Sequence, residues 1–330
     1  MALSFTFVII GSGNIGSTYA RALANIDGAS LGGLVSRSGR RPDWLPEEAE
    51  VADSLGELQR PFDGVILCTP NGTHHVQAKE AAALGKHVLT EKVLDITREN
   101  MDQMTQACDG AGVTLAVTFQ RRMSPDNVAV KALLDAAALG RVFAADMRVK
   151  FYRDMDYYNS GDYRGGYAID GGGPFIQQAA HNVDIFTWFF GMPCKVVSML
   201  DTFTHEIEAE DHGVALLRYA NGMIGTVTAS TATKPGFAPI LEIHGERGSL
   251  VMENDEITAW HVDGVDRPQQ QVDFEVHSGA GTAAVEDTAG HEAIVKDFIE
   301  AAKTGRQPMV PASSGRLATE LVLQIYEGKV

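Results

Sequence analysis

A chain of 330 residues is long for a single hydrophobic core, so two domains are expected. At 45% hydrophobic and 21% charged it has the composition of a soluble globular protein, with no apolar run long enough to span a membrane. Its net charge of −16 argues against nucleic acid or an anionic membrane surface as a partner.

The opening MALSFTFVIIGSG reads as a strand with no basic leader or cleavage site. Cys68, Cys108 and Cys194 show neither metal spacing nor a disulfide framework. A reduced, cytoplasmic protein without a metal site is expected.

FTFVII is the first predicted strand, and GSGNIGSTYARAL follows it directly with Gly11, Gly13 and Gly16 at the mouth of a helix. In that context Gly11 makes a tight turn, Gly13 admits a pyrophosphate to the backbone, and Gly16 permits close helix–strand packing. The phosphates then rest on the first amides and positive end of the helix. The next strand, ASLGGLV, should end near an acid if the ligand is NAD, to bind the ribose 2′-hydroxyl. No Asp or Glu occurs between Asp27 and Asp43; Ser36 and Arg37 stand there, with Arg40 and Arg41 beside them. A hydroxyl and a guanidinium suit a 2′-phosphate, so NADP(H) is favoured over NAD(H). Arginines on an exposed loop are also common, which keeps NAD(H) open.

GVILCT, the next predicted strand, leads into PNGTHHVQAKEAAALG. Ligands of open α/β sheets bind at carboxyl ends of strands, which places Thr69 and Asn71 near ribose or pyrophosphate. His74 and His75 either join them or cap the helix. KHVLTE then delivers Glu91 and Lys92 to the same edge. These form either a strand-end ion pair or a lysine beside the nicotinamide, whose cationic oxidised ring disfavours the charged amine. The helix TRENMDQMTQACDGAG and strand GVTLAVTF complete an alternation that demands a doubly wound parallel sheet, an α/β Rossmann arrangement.

The rhythm then changes. After the helix NVAVKALLDAAALG come the strands RVFAADMRVKFY, CKVVSMLDTF, HGVALLRYANGMIGTVTAS and PILEIHGERGSLVMEND, with a hairpin signal at Asn221-Gly222. A C-terminal α+β domain with a large, mostly antiparallel open sheet is predicted. The helical patterns HEAIVKDFIEAAKTG and SSGRLATELVLQIYEG should cover it, and AGTAAVEDTAG reads as a loop. Residues 1–122 are thus expected to bind dinucleotide, and 123–330 to bind substrate and oligomerise.

GSGNIG, CTPNGTHH, EKVLD, GDYRGGYAIDGGGPFIQQAAHNVD and LEIHGERGSLVMEND together resemble the glucose–fructose oxidoreductase/inositol dehydrogenase/rhizopine-catabolism family, Gfo/Idh/MocA, over nearly the whole chain. The resemblance implies NAD(P)-dependent hydride transfer to or from a sugar, polyol or related hydroxyl or keto compound. It also implies an open sheet that pairs subunits into a homodimer or homotetramer. A dinucleotide-binding sensor without turnover and a redox-neutral lyase or glycosidase are the alternatives such a fold hosts.

Carried over by position, Lys92 matches the lysine of the family's Glu-Lys-Pro and His181 its active-site histidine. The cofactor side would comprise Gly11, Ser12, Gly13, Asn14, Ile15, Gly16, Ser36, Arg37, Thr69, Pro70, Asn71, His74, Glu91, Lys92 and Gln120. The substrate side would comprise Tyr163, Arg164, Gln177, Gln178 and Asp184, Asp184 orienting the helix or the imidazole's surroundings. The glycines at 171–173 would let backbone approach the nicotinamide. Two departures stand out. Gln177 replaces a common aspartate, and an amide binds a hydroxyl without relaying a proton; QQAAH is closest to members reading NQxxH, several of which act on nucleotide-linked or otherwise modified sugars. Val93 replaces the motif proline, and a non-proline cis peptide costs ~2.5–4 kcal/mol.

Overall fold

The computed structural model describes residues 4–269 and 287–330. It divides into two compact units, Met1–Gln120 with Ala284–Arg316, and Arg121–Ala283 with Leu317–Val330.

In the first unit β1 (Phe5–Ile10), β2 (Ala29–Val35), β3 (Glu50–Ala52), β4 (Gly64–Leu67), β5 (His87–Thr90) and β6 (Leu115–Val117) form a parallel sheet. The strand order is β3-β2-β1-β4-β5-β6, the dinucleotide-binding order, which reverses between β1 and β4. β4 is buried along its length, as expected of a strand covered on both faces. Helices α1 (Asn14–Ala24), α2 (His74–Ala83) and α3 (Arg98–Ala111) supply crossovers. The Thr97 hydroxyl caps α3 by accepting from Asn100 N at 3.1 Å, and Gly112 ends it in the left-handed region.

The second unit contains α4 (Pro125–Asp135), β7 (Val142–Lys150), α5 (Met155–Asn159), α6 (Ala180–Phe190), β8 (Lys195–Asp201), β9 (His212–Arg218), β10 (Ile224–Ser230), β11 (Ile240–Gly245), β12 (Gly248–Glu253) and β13 (Glu256–Val262). Its sheet runs β13-β12-β11-β7-β10-β9-β8, with β7 and β10 parallel and the other neighbours antiparallel. The hairpin predicted at Asn221-Gly222 joins β9 to β10, with Gly222 at φ +90° and Asn221 Oδ1 accepting from Met223 N at 3.0 Å. α6 packs on β7 and α4. On the sheet, Phe143, Met199, Leu216 and Ile224 remain exposed.

Both fold classes follow the sequence reading. The helix α7 (Ala289–Thr304) does not: it packs against α1 in the first unit, where the sequence placed it over the second sheet. Phe298 reaches Phe5 and Phe7 at ring separations of 6.2 and 6.0 Å, and Asn25 Nδ2 donates to Glu292 Oε1 at 2.8 Å. Amphipathic spacing reveals that a helix buries a face, not which sheet receives it. The helix α8 (Ala312–Glu327) divides between the units at Arg316. Of the loop reading AGTAAVEDTAG, residues 280–286 lie outside the described residues and Ala289 and Gly290 already belong to α7. Among the described residues no helix is long and apolar enough to cross a membrane.

Candidate active site

The loops after β1 and β4 flank the point where strand order reverses. Gly11 adopts φ +113°, and a β-carbon there would collide with the Cys68 carbonyl; one on Gly16 would strike the Gly11 carbonyl. Around Gly13, by contrast, a β-carbon meets nothing within 4 Å. The outer glycines therefore serve the protein's own packing, while the middle one faces open space. Gly13 is the N-cap of α1, contributes no side-chain cap, and is followed by Asn14 and Ile15 in a first turn without acids. Helix amides left without a cap and free of nearby negative charge suit a pyrophosphate. Gln120 Oε1 is buried with no hydrogen-bond partner among the described residues, an acceptor for a ligand donor. These features fit a dinucleotide.

Ser36 ties the end of β2 to the glycine loop, its hydroxyl donating to Ser12 Oγ at 3.1 Å. Arg37 and Arg40 are exposed, and neither guanidinium has a partner among the described residues. Arg41 is committed elsewhere, donating to the Pro46 carbonyl at 2.7 Å and to the Ala49 carbonyl.

Three residues expected on the cofactor side have side chains engaged within the protein. The Thr69 hydroxyl turns inward, donating to Gln77 Oε1 at 2.8 Å and accepting from Thr73 at 3.0 Å. Pro70 and the buried Asn71 carry the turn onward. His74 is wholly buried, with Nδ1 2.9 Å from the Val93 carbonyl and Nε2 3.0 Å from the Thr69 carbonyl, so both ring nitrogens face groups of the protein. His75 joins Asp95 at 3.0 Å. Glu91 is also an interior group: Oε1 accepts from the Tyr19 hydroxyl at 2.7 Å and Oε2 from Lys92 N at 3.2 Å. The Tyr19 hydroxyl lies 2.7 Å from Thr118 Oγ1, and His291 Nε2 lies 4.0 Å from Glu91. Burial, and then the Glu91 charge, pushes the Tyr19 phenol far up; burial lowers His291 against the opposing pull of Glu91. The Lys92–Val93 peptide is cis although valine stands at the motif proline.

In the second unit Gly171 and Gly172 have φ of +89° and +135°. A β-carbon at Gly172 would collide with the Tyr326 hydroxyl, and one at Gly173 with the Glu210 carbonyl. Gly172 and Gly173 are thus required by contacts within the unit. Glu210 is buried and accepts from the Tyr326 hydroxyl at 3.0 Å and Gly173 N at 3.3 Å; burial raises its carboxyl. Gln177 Nε2 donates to the Asp170 carbonyl at 2.6 Å, just ahead of α6, whose second residue is His181.

Asp184, one turn further along α6, turns to the interior of the unit. It is fully buried and receives Arg122 in a forked pair, Nε to Oδ2 at 2.8 Å and Nη2 to Oδ1 at 2.6 Å. Burial pushes its carboxyl up to about 6 against the pull of Arg122. The pair orients the helix bearing His181.

Tyr163 and Arg164 lie together, the guanidinium 5.5 Å from the Tyr163 ring centre and 4.5 Å from that of Tyr157. Arg164 Nη1 and Gln178 Nε2 both donate to the Tyr157 hydroxyl, at 2.8 and 3.0 Å. Sequence reasoning missed Tyr157; its only signal was the aromatic pair opening YYNSGDYRGGY. Among the described residues no group of three or more His, Cys, Asp or Glu is placed to hold a metal.

A family profile described as "Oxidoreductase family, NAD-binding Rossmann fold" matches residues 5–119, and the GFO/IDH/MocA C-terminal domain matches residues 127–251. The chain belongs to the Gfo/Idh/MocA oxidoreductase family. Its first unit is an NAD(P)-binding Rossmann fold. The WlbA dehydrogenase from Bordetella pertussis, solved in complex with NADH and UDP-GlcNAcA, superposes with a TM-score of 0.85 at 28% identity, covering 98% of this chain and 96% of that one. The inositol 2-dehydrogenase of Rhizobium meliloti is 25% identical over 81% of this chain and 82% of its own length. The NADP(+)-dependent scyllo-inositol 2-dehydrogenase IolW of Bacillus subtilis is 27% identical over 62% of this chain and 56% of its own.

Proposed function

We propose that this oxidoreductase converts a secondary alcohol of a sugar or polyol to the ketone, or the reverse. The observation that carries the reading is the combination, in one chain of this family, of an open Gly13 loop at the strand-order reversal with Lys92 and His181 at the motif positions. The nicotinamide dinucleotide, when bound, supplies the hydride-transfer chemistry. Gly11–Gly16 and the first turn of α1 hold its phosphates, with Gln120 as a further polar contact. Lys92 and His181 hold and move the proton at the substrate hydroxyl oxygen, imidazole being suited to transfer near neutrality. Gln177 and Arg164 orient the substrate, and an amide at position 177 contributes binding rather than proton relay.

NADP(H) is the preferred cofactor in this reading, because Ser36, Arg37 and Arg40 follow β2 without an acid and both arginines lack carboxylate partners among the described residues. The NADH complex of the WlbA relative favours NAD(H) as the second reading. Titrating purified protein with NADH and NADPH, followed by fluorescence, decides between them. Tighter NADPH binding, lost in Arg37→Ala while NADH binding persists, is expected; equal or tighter NADH binding overturns the preference. A sugar and polyol panel on the same sample tests turnover.

The first unit serves dinucleotide and the second serves substrate and assembly. The exposed apolar side chains Phe143, Met199, Leu216 and Ile224 on the second sheet support a homodimer or homotetramer. The acidic chain is taken to act in the cytoplasm on a carbohydrate-like small molecule, without nucleic acid or membrane partners.

A further inference from the structure

The second unit contains a cation without a counter-charge. Arg164 is half-buried, forms no ion pair among the described residues, and has a buried Nε with no hydrogen-bond partner. It is held in place by Tyr157 and Tyr163, on whose rings it lies, and by its Nη1 bond to the Tyr157 hydroxyl. Taking a guanidinium partly out of water costs free energy that two rings and a phenol oxygen offset poorly.

A second guanidinium stands close. Arg153 lies 5.6 Å from the Tyr157 ring centre and is anchored by Nη1 donating to the Tyr152 carbonyl at 2.7 Å. Its own carbonyl faces His205 Nε2 at 2.7 Å, while Nδ1 of that ring sits 2.9 Å from Asp211. Two acids are near: Asp154 caps α5 by accepting from Tyr157 N at 3.0 Å, and Asp170, whose charge acts on the Tyr157 phenol, accepts from Gly165 N at 3.1 Å.

The Tyr157 oxygen already accepts two N–H groups, from Arg164 and Gln178, so its own proton is left to donate. The polar groups that Arg164 and Tyr157 leave to a ligand are therefore donors, one of them on a guanidinium. A ligand group that satisfies them must be an acceptor and negative, and an oxygen anion beside Arg and Tyr forms the strong, charge-assisted type of hydrogen bond.

We propose that Tyr157 and Arg164, set by Gln178 and backed by Arg153, form a subsite for a carboxylate on the substrate, so that the protein acts on an acidic sugar of the uronate type. This rests on the oxidoreductase reading and narrows it. A cofactor phosphate is the other source of such an anion, but the glycine loop of the first unit already provides for phosphate.

The test uses the full chain saturated with NADH and two matched pairs of probes: D-glucuronate against D-glucose, and UDP-glucuronate against UDP-glucose. Calorimetry should show the acid bound at least about tenfold tighter than its neutral counterpart in one pair, as a charge-assisted contact requires. Arg164→Gln and Tyr157→Phe should bring that ratio towards one, with Arg164→Lys intermediate, while affinity for NADH and NADPH stays within about twofold. The wild-type ratio decides the matter even if a variant folds poorly. Acid and neutral sugars bound alike in both pairs would overturn the subsite. A parallel loss of NADH or NADPH binding in Arg164→Gln would also overturn it, assigning the anion to the cofactor. Turnover of neutral polyols without any acid preference would sink the subsite and leave the oxidoreductase reading standing. Acid-selective binding with no change in nicotinamide absorbance for any sugar would do the opposite.

Discussion

Replacing Asp184 by asparagine would leave the Arg122 guanidinium, only 1% exposed, without its carboxylate. Removing one member of a buried ion pair costs about 3–5 kcal/mol, because the remaining charge cannot return to water. Against the roughly 5–15 kcal/mol by which domains are stable, that is a large fraction, and it lowers the melting temperature by roughly 6–20 °C. Two results follow for urea and calorimetric melts. Asp184→Asn should destabilise at neutral pH by that amount. The double variant Arg122→Met/Asp184→Leu should recover most of the loss, since no unpaired charge remains. A single-variant loss below about 1 kcal/mol, or a double variant no better than the single one, would refute this account.

Gly172→Ala must place a β-carbon at φ +135° and against the Tyr326 hydroxyl, so a loss of roughly 2–5 kcal/mol is expected in a thermal melt; a melt within 2 °C of wild type would contradict the packing argument. His291 is buried and its imidazole is shifted down from 6.5, so its contribution to stability is present above pH 6.5 and lost as pH falls below it. His291→Gln should therefore reduce the acid dependence of unfolding below pH 6.5, and an unchanged slope would dismiss that role. Lys92→Ala should abolish turnover while dinucleotide affinity, set by the glycine loop and α1, stays largely intact; retention of most of kcat would make Lys92 a strand-end charge only.

The sequence made the Rossmann unit legible because each piece of it is local. Strand, glycine loop and helix lie within residues 5–24, and their physical requirements are met in that span. The features that escaped are the long-range ones. GGG at 171–173 announced a close approach, and the groups that approach within the unit include Tyr326, at the far end of the chain. Asp184 looked like a polar group at the site, yet its partner Arg122 is 62 residues away, and nothing in the local pattern QRRM distinguishes a buried guanidinium from an exposed one. α7 failed for the same reason. Its apolar stripe was visible, while the identity of the opposing surface depends on where the whole chain has travelled.

Lys92 shows how a departure from a local motif need not displace the group it borders. Val93 substitutes for the motif proline directly after Lys92. On one side of Lys92, however, the Glu91 carboxylate is gripped by Tyr19 in the interior and accepts from the Lys92 amide itself. On the other, His74 brackets the chain between the Thr69 and Val93 carbonyls. Breaking either grip would strand a buried polar group at about 1–3 kcal/mol, so the backbone at Lys92 is fixed by its neighbours' hydrogen bonds. In the proposed mechanism Glu91 and His74 are then positioning residues for Lys92. A side chain that must meet a reacting oxygen within a fraction of an ångström needs a rigid backbone beneath it. The polar groups that provide this rigidity are occupied inside the protein and therefore face away from the ligands whose arrangement they secure.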